Sequence, residues 1–171
     1  MIGLPGSGKT TLGRQLADKL GFKFADMDEL IEKEVGKSIP HIFNEEGESS
    51  FRKYERSILN QLLHKTNQIV STGGGAPCFF DNINIMNQHG TTVFIDVSPQ
   101  ELVNRLDTAN ITTRPLLEQS TSSVFDTVKE KRETRIAFYK KAHIIVKNDH
   151  LTVEEILEEL KKYASGKNES R

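Results

Sequence analysis

The residues Gly3-Leu4-Pro5-Gly6-Ser7-Gly8-Lys9-Thr10 satisfy the pattern Gly-x-x-x-x-Gly-Lys-Ser/Thr in full, and a helical pattern begins directly behind them. Glycines without a Cβ let consecutive backbone N–H groups turn inward onto phosphate oxygens. The start of the helix adds about half a positive charge at the same point. Gly6, Ser7 and Gly8 would form this cradle, with Thr11 beside it. Lys9 would reach the β- and γ-phosphates of a nucleoside triphosphate, and the Thr10 hydroxyl would take one position on Mg²⁺. The chemistry these residues suit is phosphoryl transfer from ATP.

Transfer needs an acceptor side. In Phe22-Lys23-Phe24-Ala25-Asp26-Met27-Asp28 the alternation has period two, so Asp26 and Asp28 are expected on one side where a strand ends. Asp26 would sit near the phosphates and hold Mg²⁺ through water, and Asp28 would accept a hydroxyl proton. The same two carboxylates would equally suit the start of a helix, where the dipole favours them. Arg52 and Glu55 are three apart and share a helix face, either as a binding pair or as a solvent-exposed ion pair. Gly73-Gly74-Gly75 follows Ile69-Val70, and three glycines after a buried strand imply a ligand close to the backbone. Arg114, biased toward an extended conformation by Pro115, could swing over the transferring phosphate, and Arg135 could join Arg52 in gripping a carboxylate. Lys9, Asp28 and Arg114 are thus the expected catalytic residues.

Short β-rich runs alternate with longer helical segments, which is the pattern of βαβ units feeding a parallel sheet. The predicted strands are residues 23–26, 69–72, 92–97 and 143–147. Leu12, Leu16 and Leu20 predict a helix closed by Gly21. Ser98 with Glu101, and Thr152 with Glu155, read as capping boxes opening two more. Another helix opens at Phe51 and continues through Ile58, Leu59, Leu62 and Leu63. Residues 107–123 lack periodicity and suggest a lid, at about 107–120, while 165–171 reads as a frayed tail. Only Met1 and Ile2 precede Gly3, so the strand expected before the phosphate loop is either stunted or begins upstream, and the second is favoured.

At 171 residues the chain suits one domain. Lys+Arg 23 against Asp+Glu 24 gives net charge -1, so no overall field favours nucleic acid or an anionic membrane. One cysteine, Cys78, allows no intramolecular disulfide, and a cytoplasmic monomer is expected. Cys78 could be a thiol near the site, or a buried structural cysteine.

Gly-x-x-x-x-Gly-Lys-Thr, Asp-x-Asp, Phe-Arg-x-x-Glu, Gly-Gly-Gly, Arg-Pro-Leu-Leu and Arg-x-x-x-Tyr occur in the order and spacing of the shikimate kinases, which the chain resembles along almost its whole length. The resemblance implies transfer of the ATP γ-phosphoryl group to the 3-hydroxyl of shikimate with Mg²⁺, in the pathway to chorismate. It implies an α/β fold: a three-layer α/β/α P-loop kinase fold with a five-stranded parallel sheet in the order 2-3-1-4-5, a lid and an acceptor-binding region at about 27–56. It places shikimate on Asp28, Arg52, Gly73, Gly74, Gly75 and Arg135, with Glu55 supporting Arg52 and Phe43 and Phe51 lining the pocket. It puts Lys9 and Arg114 on the transferring phosphate, Thr10 and Asp26 on the metal, and Arg105 and the segment 148–152 around adenine. One departure stands out: Ala137 occupies a position where proline is common in that family, so the helix is expected to continue past Arg135. Gluconate kinases, nucleoside monophosphate kinases and a regulatory nucleotide-binding module are the competing readings.

Overall fold

The computed structural model describes residues 1–108 and 123–169, with side chains described over 1–105 and 123–166. Helix α1 (Lys9–Leu20) starts at Gly8, whose φ of 93° is rarely open to L residues with a side chain, and ends at Gly21 in the left-handed region. Strand β1 (Lys23–Asp26) leads into α2 (Met27–Val35), and Asp26 is its cap, accepting from the Asp28 N–H at 3.0 Å. The period-two pattern therefore stops at Asp26, and Asp28 lies in the first turn of a helix rather than on an extended strand. The helix-start reading and the site reading are both satisfied, because that turn opens into the cleft described below.

Helix α3 (Ile39–Leu63) begins twelve residues before the predicted Phe51, capped by Ser38 and broken at Gly47, where φ is 79° and ψ 171°. Strand β2 (Gln68–Ser71) is followed by the short 3₁₀ turn Ala76–Cys78, then α4 (Asn82–His89), β3 (Val93–Asp96) and α5 (Pro99–Thr108). After the undescribed stretch come α6 (Val124–Tyr139), capped by Ser123, then β4 (Ile144–Lys147) and α7 (Val153–Glu169). Helix α5 takes in Asp107 and Thr108, the first residues of the expected lid, and the rest of that segment through Arg114 and Pro115 lies outside the described residues. Helix α7 runs on through Glu169, into the stretch read from composition as a frayed tail. Helix α6 continues unbroken through Ala137.

Both strand pairs are parallel. β1 pairs with β2, Lys23 facing Gln68, and β3 pairs with β4, Val93 facing Ile144. Met1 and Ile2 lie between the pairs: Thr72 N donates to Met1 O at 3.2 Å, Ile2 N to Val93 O at 2.9 Å and Ile95 N to Ile2 O at 3.0 Å. Those two residues make the bonds the expected first strand would make. All of β3 is buried, while Ile144 and Val146 of β4 face in and Ile145 faces out. Ile2, Leu16, Met27, Ile95, Leu102 and Ile156 make the centre of the core, each at most 1% exposed. The strands' carboxyl ends, at Asp26, Ser71 and Asp96, come out near the phosphate loop, where an open α/β sheet binds ligands.

Candidate active site

A cleft of about 250 Å³ runs between the phosphate loop, the ends of β1 and β2, and helices α2, α3 and α6. At one end Lys9 is buried and folded back on its own loop, its ammonium donating to Leu4 O at 2.9 Å and lying 3.5 Å from Ser7 Oγ. Ser7 is buried with its N–H on Leu4 O, whereas Thr11 is exposed on the first turn of α1. Thr10 Oγ1 donates to Asp26 Oδ2 at 2.7 Å and lies 3.4 Å from Ser71 Oγ. These are hard oxygen donors, the type Mg²⁺ accepts when water and phosphate supply its other ligands. The geometry thus brings Thr10 and Asp26 together and adds Ser71. Arg105 spans the nucleotide side: Nη1 contacts Gly6 O at 3.4 Å, Nη2 donates to Asp149 O, and Nε pairs with Glu101. It therefore joins the phosphate loop to the 148–152 segment.

At the other end Arg52 is 4% exposed. Its Nη1 donates to Glu55 Oε2 at 2.5 Å, and Nε and Nη2 donate to Glu48 Oε1 at 3.1 and 2.7 Å. The Phe79 ring covers the guanidinium at 4.4 Å and Phe51 approaches at 5.1 Å. A solvated surface pair is excluded by this burial. Burial pushes the Glu55 carboxyl up to about 7, against the opposite pull of Arg52 and with Asp28 adding to the rise. Its Oε1 is buried with no hydrogen-bond partner among the described residues. The Phe43 and Phe51 rings meet in a tilted contact with centroids 4.7 Å apart, and both line the cleft with Asp28 and Arg135.

The glycine turn sits between the two ends. A Cβ on Gly73 would lie 2.6 Å from Glu55 Oε1 and 2.8 Å from Asp28 Oδ1. On Gly74 it would lie 2.8 Å from Pro5 Cδ, and on Gly75 2.6 Å from Arg52 Nη1. None of the three has a positive φ. The protein's own side chains approach all three glycines closely, and the absence of a Cβ is what leaves room for those side chains at the cleft. Tyr139 donates to Gly74 O at 2.5 Å and Asn82 to Ala76 O at 2.8 Å, so two buried side chains pin the turn. Cys78, just beyond it, is half-buried, and burial pushes its thiol up to about 11. Arg114 lies outside the described residues. The sequence reading missed Glu48, Ser71, Asn82 and Lys131, the last also lining the cleft. Their types are common on any surface, and only the tertiary contacts distinguish them.

The lysine and threonine of a phosphate loop at one end of a cleft, with a carboxylate and two guanidinium groups at the other, are the needs of a P-loop phosphotransferase with a small anionic acceptor. The chain belongs to the shikimate kinase family, whose model matches residues 5–164. It is 42% identical over 152 residues to a shikimate kinase of Bacteroides fragilis, spanning 88% of this chain and 84% of that one. The crystal structure of a shikimate kinase from Bacteroides thetaiotaomicron superposes with a TM-score of 0.86 at 38% identity, covering 96% of this chain and 97% of the other. A shikimate kinase from Acinetobacter baumannii in complex with shikimate superposes with a TM-score of 0.87 at 29% identity, covering 97% and 91%.

Proposed function

We propose that this protein transfers the γ-phosphoryl group of ATP to the 3-hydroxyl of shikimate, releasing ADP and shikimate 3-phosphate. The observation that carries the reading is the shared cleft: Asp28, Arg52 and Arg135 face the phosphate loop across the glycine turn. In this reading Arg52 and Arg135 grip the carboxylate through paired N–H groups, which match its planar geometry. Gly73, Gly74 and Gly75 border the ring, and Phe43 and Phe51 exclude water beside it. Asp28 takes the 3-hydroxyl proton as that oxygen attacks the γ-phosphorus and the bond to the β-phosphate oxygen breaks. Lys9 swings from Leu4 O to the phosphates, and Arg114, in the expected lid at about 107–120, offsets charge on the transferring group. Gly6, Ser7, Gly8 and Thr11 surround the phosphates and Arg105 borders the adenine.

Thr10 and Asp26 would hold Mg²⁺, which when bound neutralises phosphate charge. The Met1 and Ile2 bonds support a five-stranded sheet in the order 2-3-1-4-5 within a three-layer arrangement, with an acceptor-binding region at about 27–56. A cytoplasmic monomer that binds ATP and shikimate, and neither nucleic acid nor membrane, fits this reading. Among the described residues no helix is long and apolar enough to cross a membrane.

ADP release from Mg-ATP, compared with shikimate, gluconate and nucleoside monophosphates as acceptors, tests it. Saturable stimulation by shikimate alone is expected. Equal stimulation by gluconate, or none by shikimate while ATP still binds, would overturn the assignment.

A further inference from the structure

Arg52 alone cannot draw an anion into the cleft. Its guanidinium already faces Glu48 and the buried Glu55 at hydrogen-bond distance, so even with Glu55 only partly ionised near pH 7 its single charge is already met within the protein. Asp28 and Glu32 add two more carboxylates to the lining. The acceptor brings another carboxylate and leaves with a phosphate besides. Positive charge must therefore come from elsewhere, and α6 offers it twice. Arg135 lines the cleft, and Lys131, one turn earlier, lines it too. Residues four apart share a helix face, with side chains rooted about 5–6 Å apart, so the two cations stand together on the face of α6 that lines the cleft.

We propose that Lys131 is a third acceptor-binding cation, pairing with the acceptor's carboxylate beside Arg135 and setting the affinity for anionic acceptors. The inference deepens the shikimate reading above and rests on it. The surroundings of Lys131 suit the role. Burial and the neighbouring Arg135 hold its ammonium down at about 8, with Glu130 on the same helix and Glu48 on α3 pulling the other way. Arg52 and Glu55 on α3, Asp28 and Glu32 on α2, Asp26 at the end of β1 and Lys9 of the phosphate loop are the other charged groups lining the cleft. A bound carboxylate restores the ammonium's hold on its proton. The Lys131 contribution to acceptor affinity is then constant below pH 8 and falls as the pH rises through it, because binding above that point must also take up a proton. Glu55, held up at about 7, loses its proton below that window. Cys78, held up at about 11, stays out of that window.

Calorimetric binding of shikimate and of its methyl ester, at pH 7 and pH 9, separates the possibilities for the intact protein and two variants. Lys131→Met should weaken shikimate binding about fivefold at pH 7, as expected for a partly exposed ion pair, and leave methyl ester binding and ATP binding unchanged. Lys131→Arg should restore shikimate affinity and remove the decline of up to roughly fivefold that titration of Lys131 gives the unmodified protein between pH 7 and 9. Unchanged shikimate binding in Lys131→Met, or an equal loss for the ester, would overturn the role of Lys131 alone. Failure of the unmodified protein to bind shikimate would overturn both this inference and the function it rests on.

Discussion

Three consecutive glycines can be turned into three different kinetic defects, because each would push its new methyl group into a different part of the machinery. Gly75→Ala places a Cβ 2.6 Å from Arg52 Nη1 and 2.7 Å from Nη2, and ordinary contact begins near 3.4 Å, so the guanidinium must move about 0.8 Å. A surface arginine would simply swing away. Arg52 is 4% exposed and bonded to Glu55 at 2.5 Å, so the displacement stretches a buried, charge-assisted bond. Such a bond contributes about 1.5–3 kcal/mol, which corresponds to a roughly tenfold to hundredfold rise in the shikimate KM. The KM for ATP should hardly change. Gly74→Ala instead meets Pro5 Cδ at 2.8 Å, inside the phosphate loop, and should raise the KM for ATP. Gly73→Ala meets Glu55 Oε1 and Asp28 Oδ1 at 2.6 and 2.8 Å, and should lower kcat by misaiming the base. Steady-state kinetics with each substrate varied in turn, beside thermal melts to confirm folding, reads all three. The same kinetic defect in all three folded variants, or an unchanged shikimate KM in Gly75→Ala, would refute the steric reasoning.

Other perturbations have equally defined outcomes. Asp28→Asn should collapse turnover while shikimate still binds, and near-normal rates would remove Asp28 from proton transfer. Burial holds Glu55 up at about 7, so the folded state keeps a proton that the unfolded chain has lost, and stability falls by about 3 kcal/mol between the usual carboxylate range and pH 7. Glu55→Gln should abolish that slope in urea titrations at pH 5 and 7.5, and parallel curves for variant and parent would contradict it. Tyr139→Phe leaves the Gly74 carbonyl without its 2.5 Å donor. It should cost about 1–3 kcal/mol, or several degrees of Tm, and an unchanged melt would mean that the bond does not hold the turn.

Local signals were legible in the sequence and long-range ones were not. Leu12, Leu16 and Leu20 define a helix because period and the closing Gly21 act within a few residues, and the four predicted strands lie within two residues of those observed at each end. The start of α3 was hidden because its Ser38 cap and its break at Gly47 give it two short apolar patterns rather than one long one. The glycine turn was recognised, but the side chains that press against it were not. Spacing shows that something approaches a backbone, but whether it is a ligand or Arg52 depends on where α3 docks. Lys131 escaped for a related reason: α6 has no clear apolar stripe, so nothing local says which of its many charges turns inward.

The aim of Arg135 shows how such a helix is nonetheless fixed. Ala137 leaves α6 without the proline that the resemblance would place there, so no kink sets its direction. Two long-range polar contacts do so instead. Arg132 Nη2 donates to both Asp96 oxygens at 2.8 and 3.0 Å, tying α6 to the end of β3, and Tyr139 ties it to the glycine turn after β2. Residues 132, 135 and 139 follow the i, i+3, i+7 spacing of one helix face. Arg135 therefore lies between two anchors on the face they define, about two turns apart, and it cannot rotate out of the cleft unless one of them breaks. If that is what aims it, Arg132→Met should weaken shikimate binding without touching shikimate itself, and should do so more than it weakens ATP binding. Equal affinity for shikimate in a folded Arg132→Met protein would show that packing alone holds α6.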